Sequence, residues 1–183
     1  MKPLFLLLLA VFCTGVFALS FEAEELQFTL NKGSWEMDGL FYFANYADSL
    51  VSSPIYFPIP EDSLSLHPEI LALEVVEDSL ASCMLSSVRT GGFGFMLTMP
   101  ARHFCTVRIA YRQELKGNTA KYIITTANTW GNALVYANYR LEVAEGITIN
   151  RLPFSPQKYD DNAYHWEFQN FHPDNEFEID FSF

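Results

Sequence analysis

His67, His103, His165 and His172 are the only histidines in the 183-residue chain, so a metal centre or base-assisted chemistry has few residues to draw on. None lies in an H-E-x-x-H helix. The chain also lacks a C-x-x-C pair, a G-x-S-x-G elbow and a glycine-rich phosphate loop leading into a helix. Gly91-Gly92-Phe93-Gly94 falls between strand-like runs and reads as a hairpin turn. His165, Glu167, His172 and Asp174 carry metal-ligating atoms, but not at a spacing that zinc sites use. Tyr159-Asp160-Asp161-Asn162 and Pro173-Asp174-Asn175-Glu176 offer the oxygen ligands that calcium prefers, yet neither follows the twelve-residue calcium-loop pattern. Asp and Asn also populate turns for their own backbone hydrogen bonds. Two acids spaced for glycoside hydrolysis can be picked at will from 22 Asp and Glu, so such a pair identifies nothing. The expectation is no catalytic residue, no cofactor and no metal.

Three residues remain as candidates. Cys83 and Cys105 permit a disulfide if the chain is exported, and are otherwise two small buried hydrophobes. Cys105 shares an alternation with Val107 and Ile109, which predicts that it is buried. Trp130 precedes Gly131-Asn132 in the stretch Thr126–Asn132 and reads as a contact surface for a protein or a glycan.

The elements that must position these residues repeat with a period of two. Leu26, Phe28 and Leu30 alternate with Gln27 and Thr29, and Leu71, Leu73 and Val75 with Ala72 and Glu74. Phe93, Phe95, Leu97 and Met99 share a face. Cys105, Val107, Ile109 and Tyr111 share another, opposite Thr106, Arg108 and Arg112. The longest stripe runs Ala133, Val135, Ala137, Tyr139, Leu141, Val143, with Asn138, Arg140 and Glu142 opposite. Tyr164, Trp166 and Phe168 alternate with His165 and Glu167, and Phe177, Ile179, Phe181 and Phe183 end the chain. Leu40-Phe41-Tyr42-Phe43-Ala44 is apolar on both faces and reads as a central strand. Turn residues separate these runs, at Asn31-Lys32-Gly33, Gly91-Gly92, Gly131-Asn132 and Pro173-Asp174-Asn175. Only Glu61–Glu69 has room for a helical turn. The fold class is all-β, a single antiparallel β-sandwich of roughly ten short strands.

Met1-Lys2 precedes an apolar run from Leu4 to Phe12, and Val16-Phe17-Ala18 forms an A-x-A-like end. That order is the one a secretory leader has, with cleavage after Ala18 or after Ser20. Residues 1–20 are thus expected to be a signal peptide and 21–183 the sandwich domain, in a secreted or periplasmic protein. Charge is unevenly placed: 33–88 hold nine acids and no Lys or Arg, 89–158 nine bases and three acids, and 159–183 seven acids and no base. The net charge of −11 argues against nucleic acid as a partner. The basic middle segment is expected to sit beside its acidic flanks in cross-strand pairs.

From Lys121 onward a resemblance emerges. Tyr122-Ile123-Ile124-Thr125-Thr126 is followed by Trp130, then by the strand Ala137–Val143, then by Asn170-Phe171-His172-Pro173-Asp174. This resembles a group of bacterial exported β-sandwich domains of unknown function that share Y-I-x-T-T-x-x-x-W and a late N-F-x-P-D turn. The resemblance covers about the last 65 residues and implies a secreted or periplasmic sandwich, with no catalytic residue to carry over. The reading is a non-catalytic domain with a binding or structural role in the cell envelope or extracellular space, its partner a protein or glycan there. A carbohydrate-binding module is one alternative. A small outer-membrane β-barrel is the other, because Phe177, Ile179, Phe181 and Phe183 resemble a barrel's last strand.

Overall fold

The computed structural model describes residues 19–160 and 163–183; the leader expected over the first residues lies outside these, as do Asp161 and Asn162. Thirteen strands and one 3₁₀ helix make up the described chain. The alternation of Leu26, Phe28 and Leu30 becomes β1 (Leu19–Asn31), and the run around Phe41 becomes β2 (Ser34–Asn45). The two form a hairpin that turns at Lys32-Gly33, where Gly33 adopts φ +79°, a conformation open to glycine at no steric cost. Leu19 and Ser20 already pair with Asn45 and Ala44, so β1 takes in the last two residues assigned to the leader.

β3 (Val51–Pro58), β5 (Ser82–Arg89) and β6 (Gly92–Met99) form a small sheet in the order β3-β6-β5. β8 (Thr119–Tyr122), β10 (Thr148–Arg151) and β13 (Phe177–Ser182) form a second, in the order β10-β13-β8. The remaining strands are β4 (Glu69–Val76), β7 (His103–Glu114), β9 (Leu134–Val143), β11 (Lys158–Asp160) and β12 (Ala163–Phe171). With β1 and β2 they build a seven-stranded sheet in the order β11-β12-β9-β1-β2-β7-β4.

The two small sheets pack on one face of the large one, so the fold is the all-β sandwich expected. Rings bridge the layers: Phe28 of β1 stacks on Phe177 of β13 at 4.6 Å, and Phe41 of β2 meets Phe57 of β3 edge-on at 5.5 Å. The strands are more numerous than roughly ten, and β1, β2 and β7 reach twelve or thirteen residues. The sandwich is also not wholly antiparallel. β1 and β9 run parallel, from Ala23 opposite Tyr136 to Leu30 opposite Val143. A parallel pair needs a long crossover, and here the chain between β1 and β9 passes through both layers before returning. Among the described residues each sheet is open, with β11 and β4 as the edges of the large one, so the outer-membrane barrel is excluded: a barrel must close.

Other expectations shift locally. Glu61–Glu69 holds no helix; instead Thr125–Trp130 winds into a 3₁₀ helix ended by Gly131 at φ +82°. In β9 the inner face is Ala137, Tyr139 and Leu141, but Leu134 is buried and Val135 exposed, so the stripe does not extend to Val135. The uneven charge resolves as expected. Arg108 pairs with Asp38 and Glu74, Arg112 with Glu36, and Arg151 with Glu178 and Asp180.

Candidate functional site

The three sequence candidates do not come together. Cys105 is buried on β7 and Cys83 half-buried on β5, and both are free thiols. They belong to opposite layers, and the disulfide admitted by the sequence is not formed. Burial pushes the Cys105 thiol up to about 12 and raises that of Cys83 as well, so neither is a thiolate nucleophile near neutral pH. His103, two residues before Cys105, bonds Asp78 at 2.6 Å.

Trp130 closes the 3₁₀ helix and is half-buried, its ring 6.0 Å from Phe21 and 5.7 Å from Phe43. It is a wall of the interior rather than a free contact ring. The oxygen-rich loop Pro173–Glu176 has a structural task. Glu176 Oε2 accepts from the Ile124 and Thr125 amides at 2.9 and 3.2 Å, and Oε1 from the Thr125 hydroxyl at 2.6 Å, capping the 3₁₀ helix.

What the fold does assemble is the outer face of the large sheet. The register aligns the polar members of six alternations into rows. One row reads His165, Arg140, Gln27, Asp38, Ala110, Ala72 from β12 to β4. The next reads Glu167, Asn138, Glu25, Leu40, Arg108, Glu74. Ala72 and Ala110 are short while Arg108, Arg140 and Glu167 are long, and the sheet is twisted. The face is therefore hollow, with a volume of about 740 Å³. Six strands at about 4.8 Å spacing make it roughly 24 Å across.

The charged groups of the hollow are held in place. Arg108 grips Asp38 through Nε and Nη2 at 2.9 and 2.8 Å and reaches Glu74 at 3.1 Å. Arg140 bonds Glu142 at 3.0 Å and donates to Nε2 of His165 at 3.0 Å. A third row, Gln169, Tyr136, Ala23, Tyr42, Thr106, Val76, places two tyrosines on the same face, one row beyond the lining of the hollow. The small Ala23 between them lets the rings approach to 5.7 Å. Partial burial raises both phenols, and each interacts with the other and with Glu25.

Sequence reasoning found Gln27, Arg108, Asn138, Arg140, His165 and Glu167 as the polar side of their strands but not as one surface, because rows depend on register and strand order.

A second depression lies on the other side of the molecule, between β3 and β8, where the two small sheets part. Its lining includes Phe21, Phe41, Phe43, Phe57, Ile124 and Trp130, and it has a volume of about 50 Å³. Glu24 is at its base, 2% exposed. Its carboxyl accepts from the Tyr139 hydroxyl at 2.5 Å and from Tyr122 at 3.5 Å. Desolvation raises it from 4.5 to about 7, partly opposed by the two hydroxyls. The bulge between Phe21 and Ala23 lets Phe21 and Glu24, three residues apart, face the same interior. The signal for Glu24 was present in the sequence: it has the parity of Leu26, Phe28 and Leu30.

No protein-family model matches the chain, and no curated protein matches it in sequence. Among solved structures it is similar to a Legionella pneumophila protein provisionally called a nutrient binding protein, with a TM-score of 0.61 at 12% identity over 90% of this chain and 67% of that one. Yeast LTA4 hydrolase gives 0.49 at 9% identity over 82% of this chain, and a Parabacteroides distasonis protein provisionally called a protease gives 0.41 at 11% over 91%. The chain spans only 26% of the hydrolase and 40% of the Parabacteroides chain. At such identities the likeness extends to the fold alone, which the chain shares with the Legionella protein.

Proposed function

We propose that the chain is an exported, non-catalytic binding domain whose recognition surface is the outer face of the large sheet, and that its ligand there is a glycan. One observation carries this reading: a hollow of about 740 Å³ whose rows mix donors and acceptors beside the paired rings of Tyr42 and Tyr136. A sugar presents C–H faces that pack on aromatic rings and hydroxyls that both donate and accept. Tyrosine, amphipathic itself, suits that partner. Asn138 and Gln27 supply both kinds of polar atom, and Arg108 and Arg140 supply donors already oriented by Asp38, Glu74 and Glu142. The name of the Legionella protein is in keeping with a binding role.

Two features support the absence of catalysis. The acids of the hollow that pair with arginine are engaged as counter-ions, and the thiols beside the Asp78–His103 pair stay protonated. The test is a glycan array followed by titration of the best hit. Tyr42→Ala and Tyr136→Ala should each weaken binding several-fold, while Trp130→Ala leaves it unchanged. Glycan binding that ignores both tyrosines, or binding only to a protein from the envelope, counts against the reading.

For export, the start of β1 supports the earlier of the two cleavage positions. Leu19 and Ser20 are buried and paired with β2, so removal after Ala18 preserves the strand and removal after Ser20 truncates it. Intact mass of protein recovered from a bacterial envelope fraction should lack residues 1–18. Retention of Met1 would overturn the leader.

A further inference from the structure

The cleft between β3 and β8 is lined by aromatic rings with a carboxyl at its base, and the outer-face reading leaves it unused. Phe21, Phe41, Phe43, Phe57, Tyr122 and Trp130 line it, and Glu24 lies among them, 2% exposed. An acid so placed loses its hydration, which is costly unless a partner compensates. Its two partners on the page are neutral hydroxyls, and the Tyr122 contact is long at 3.5 Å. Ring faces are electron-rich and attract a cation held against them, more strongly when water is excluded. The volume of about 50 Å³ has room for a headgroup of a few heavy atoms, since a single water needs roughly 10–15 Å³ on this measure.

We propose that this cleft binds a methylated ammonium headgroup, with the rings around its methyl groups and Glu24 as the counter-charge. Methyl groups match the apolar walls, and the formal charge on the nitrogen matches the one buried acid that faces them. Entry is past Tyr56, Thr126 and Trp130 at the rim, of which Tyr56 is exposed. Trp130 then has a role that its half-burial explains: it is one wall, carried on a short 3₁₀ helix whose start is tied to Glu176.

The experiment titrates tetramethylammonium chloride, and in parallel the neutral neopentanol, into the intact folded protein at about pH 8, where Glu24 is ionised. Amide chemical-shift changes report the location. Saturable shifts centred on Phe21, Ile124 and Trp130 are expected, with neopentanol bound at least about 10-fold more weakly. Glu24→Gln, the near-isosteric change, should weaken tetramethylammonium by a similar factor and leave neopentanol unaffected. Trp130→Leu should weaken the cation more than the alcohol. Equal binding of the two probes reduces the cleft to an apolar crevice and overturns the proposal. So does the absence of saturable binding, or saturable shifts confined to the outer face. Should Glu24→Gln fail to fold, the comparison of the two probes in the unaltered protein still decides.

Discussion

Phe28→Ala is expected to cost about 3–5 kcal/mol of folding stability, the range for removing a large buried aromatic side chain. Phe28 is fully buried and stands at the crossing of both layers. It stacks on Trp35 at 4.9 Å within the large sheet and on Phe177 at 4.6 Å across the interface, and meets Tyr122 and Tyr139 at 5.5 and 6.2 Å. Truncation removes the middle of a Trp35–Phe28–Phe177 stack. The hole cannot be refilled easily, because its neighbours are held on two different sheets. Gln27→Ala, one residue earlier on the exposed face, should cost under about 0.5 kcal/mol. Urea unfolding of the two variants under one set of conditions checks the pair. Equal costs would mean that β1 presents the opposite face to the core.

The second large effect is a pH dependence with a definite sign. Glu24 is raised from 4.5 to about 7 in the folded protein, with burial as the main cause and the Tyr139 and Tyr122 hydroxyls opposing it. Between these values the folded state holds a proton that the unfolded state has released. Stability therefore falls as pH rises through that interval. The contribution is complete below about 4.5 and is lost by about 7. It amounts to on the order of 3 kcal/mol. The charged and titratable groups around Glu24 are Tyr139 from β9 and Tyr122 from β8, and Tyr122 in turn feels Glu176 and Tyr111. Burial lifts Tyr122, Tyr139 and Tyr111 still higher, so none of these phenols titrates in the interval.

Glu24→Gln keeps the shape and an acceptor for the tyrosines but has no proton to lose. Its stability should be flat where the unaltered protein declines, so that it is the more stable of the two at pH 7. Paired acids such as Asp78 and Asp180 are held low by His103 and Arg151, and their contributions are lost only as pH falls below the carboxylate range. A denaturation series of both proteins from acid to neutral pH measures the difference. Parallel curves would show that Glu24 titrates alike in the folded and unfolded states, and so that burial does not raise it.

These two residues also mark how far reading the chain alone can go. Phe28 was legible: its alternation with Gln27 and Thr29 specifies a strand, and its type specifies the buried side, because side chains along a strand alternate between faces whatever the fold. The same local rule made Trp166 and Cys105 core residues and Arg108, Arg140, His165 and Glu167 polar ones. Charge complementarity was legible too, since Arg108, Arg112 and Arg151 lie in a segment with nine bases and three acids between two flanks rich in acids.

Glu24 was overlooked, although it shares parity with Leu26. Adjacent acids read as solvent-facing, and the hydroxyls that receive it inside belong to Tyr139 and Tyr122, on strands over a hundred and nearly a hundred residues away. Trp130 was taken for an exposed ring because a 3₁₀ helix of six residues leaves no periodic trace, and what turns the indole inward is a cap supplied by Glu176 on a distant loop. The alternation along this chain was thus enough to determine that it is a β protein with a buried and a solvated side to its strands, but not the side taken by Glu24, Trp130 or Val135. Strand order, the parallel β1–β9 pair, the hollow beside Tyr42 and Tyr136, and the ring-lined cleft over Glu24 were decided only in three dimensions, because each is set by which strands lie side by side and at what register, and alternation is the same for every partner a strand could take.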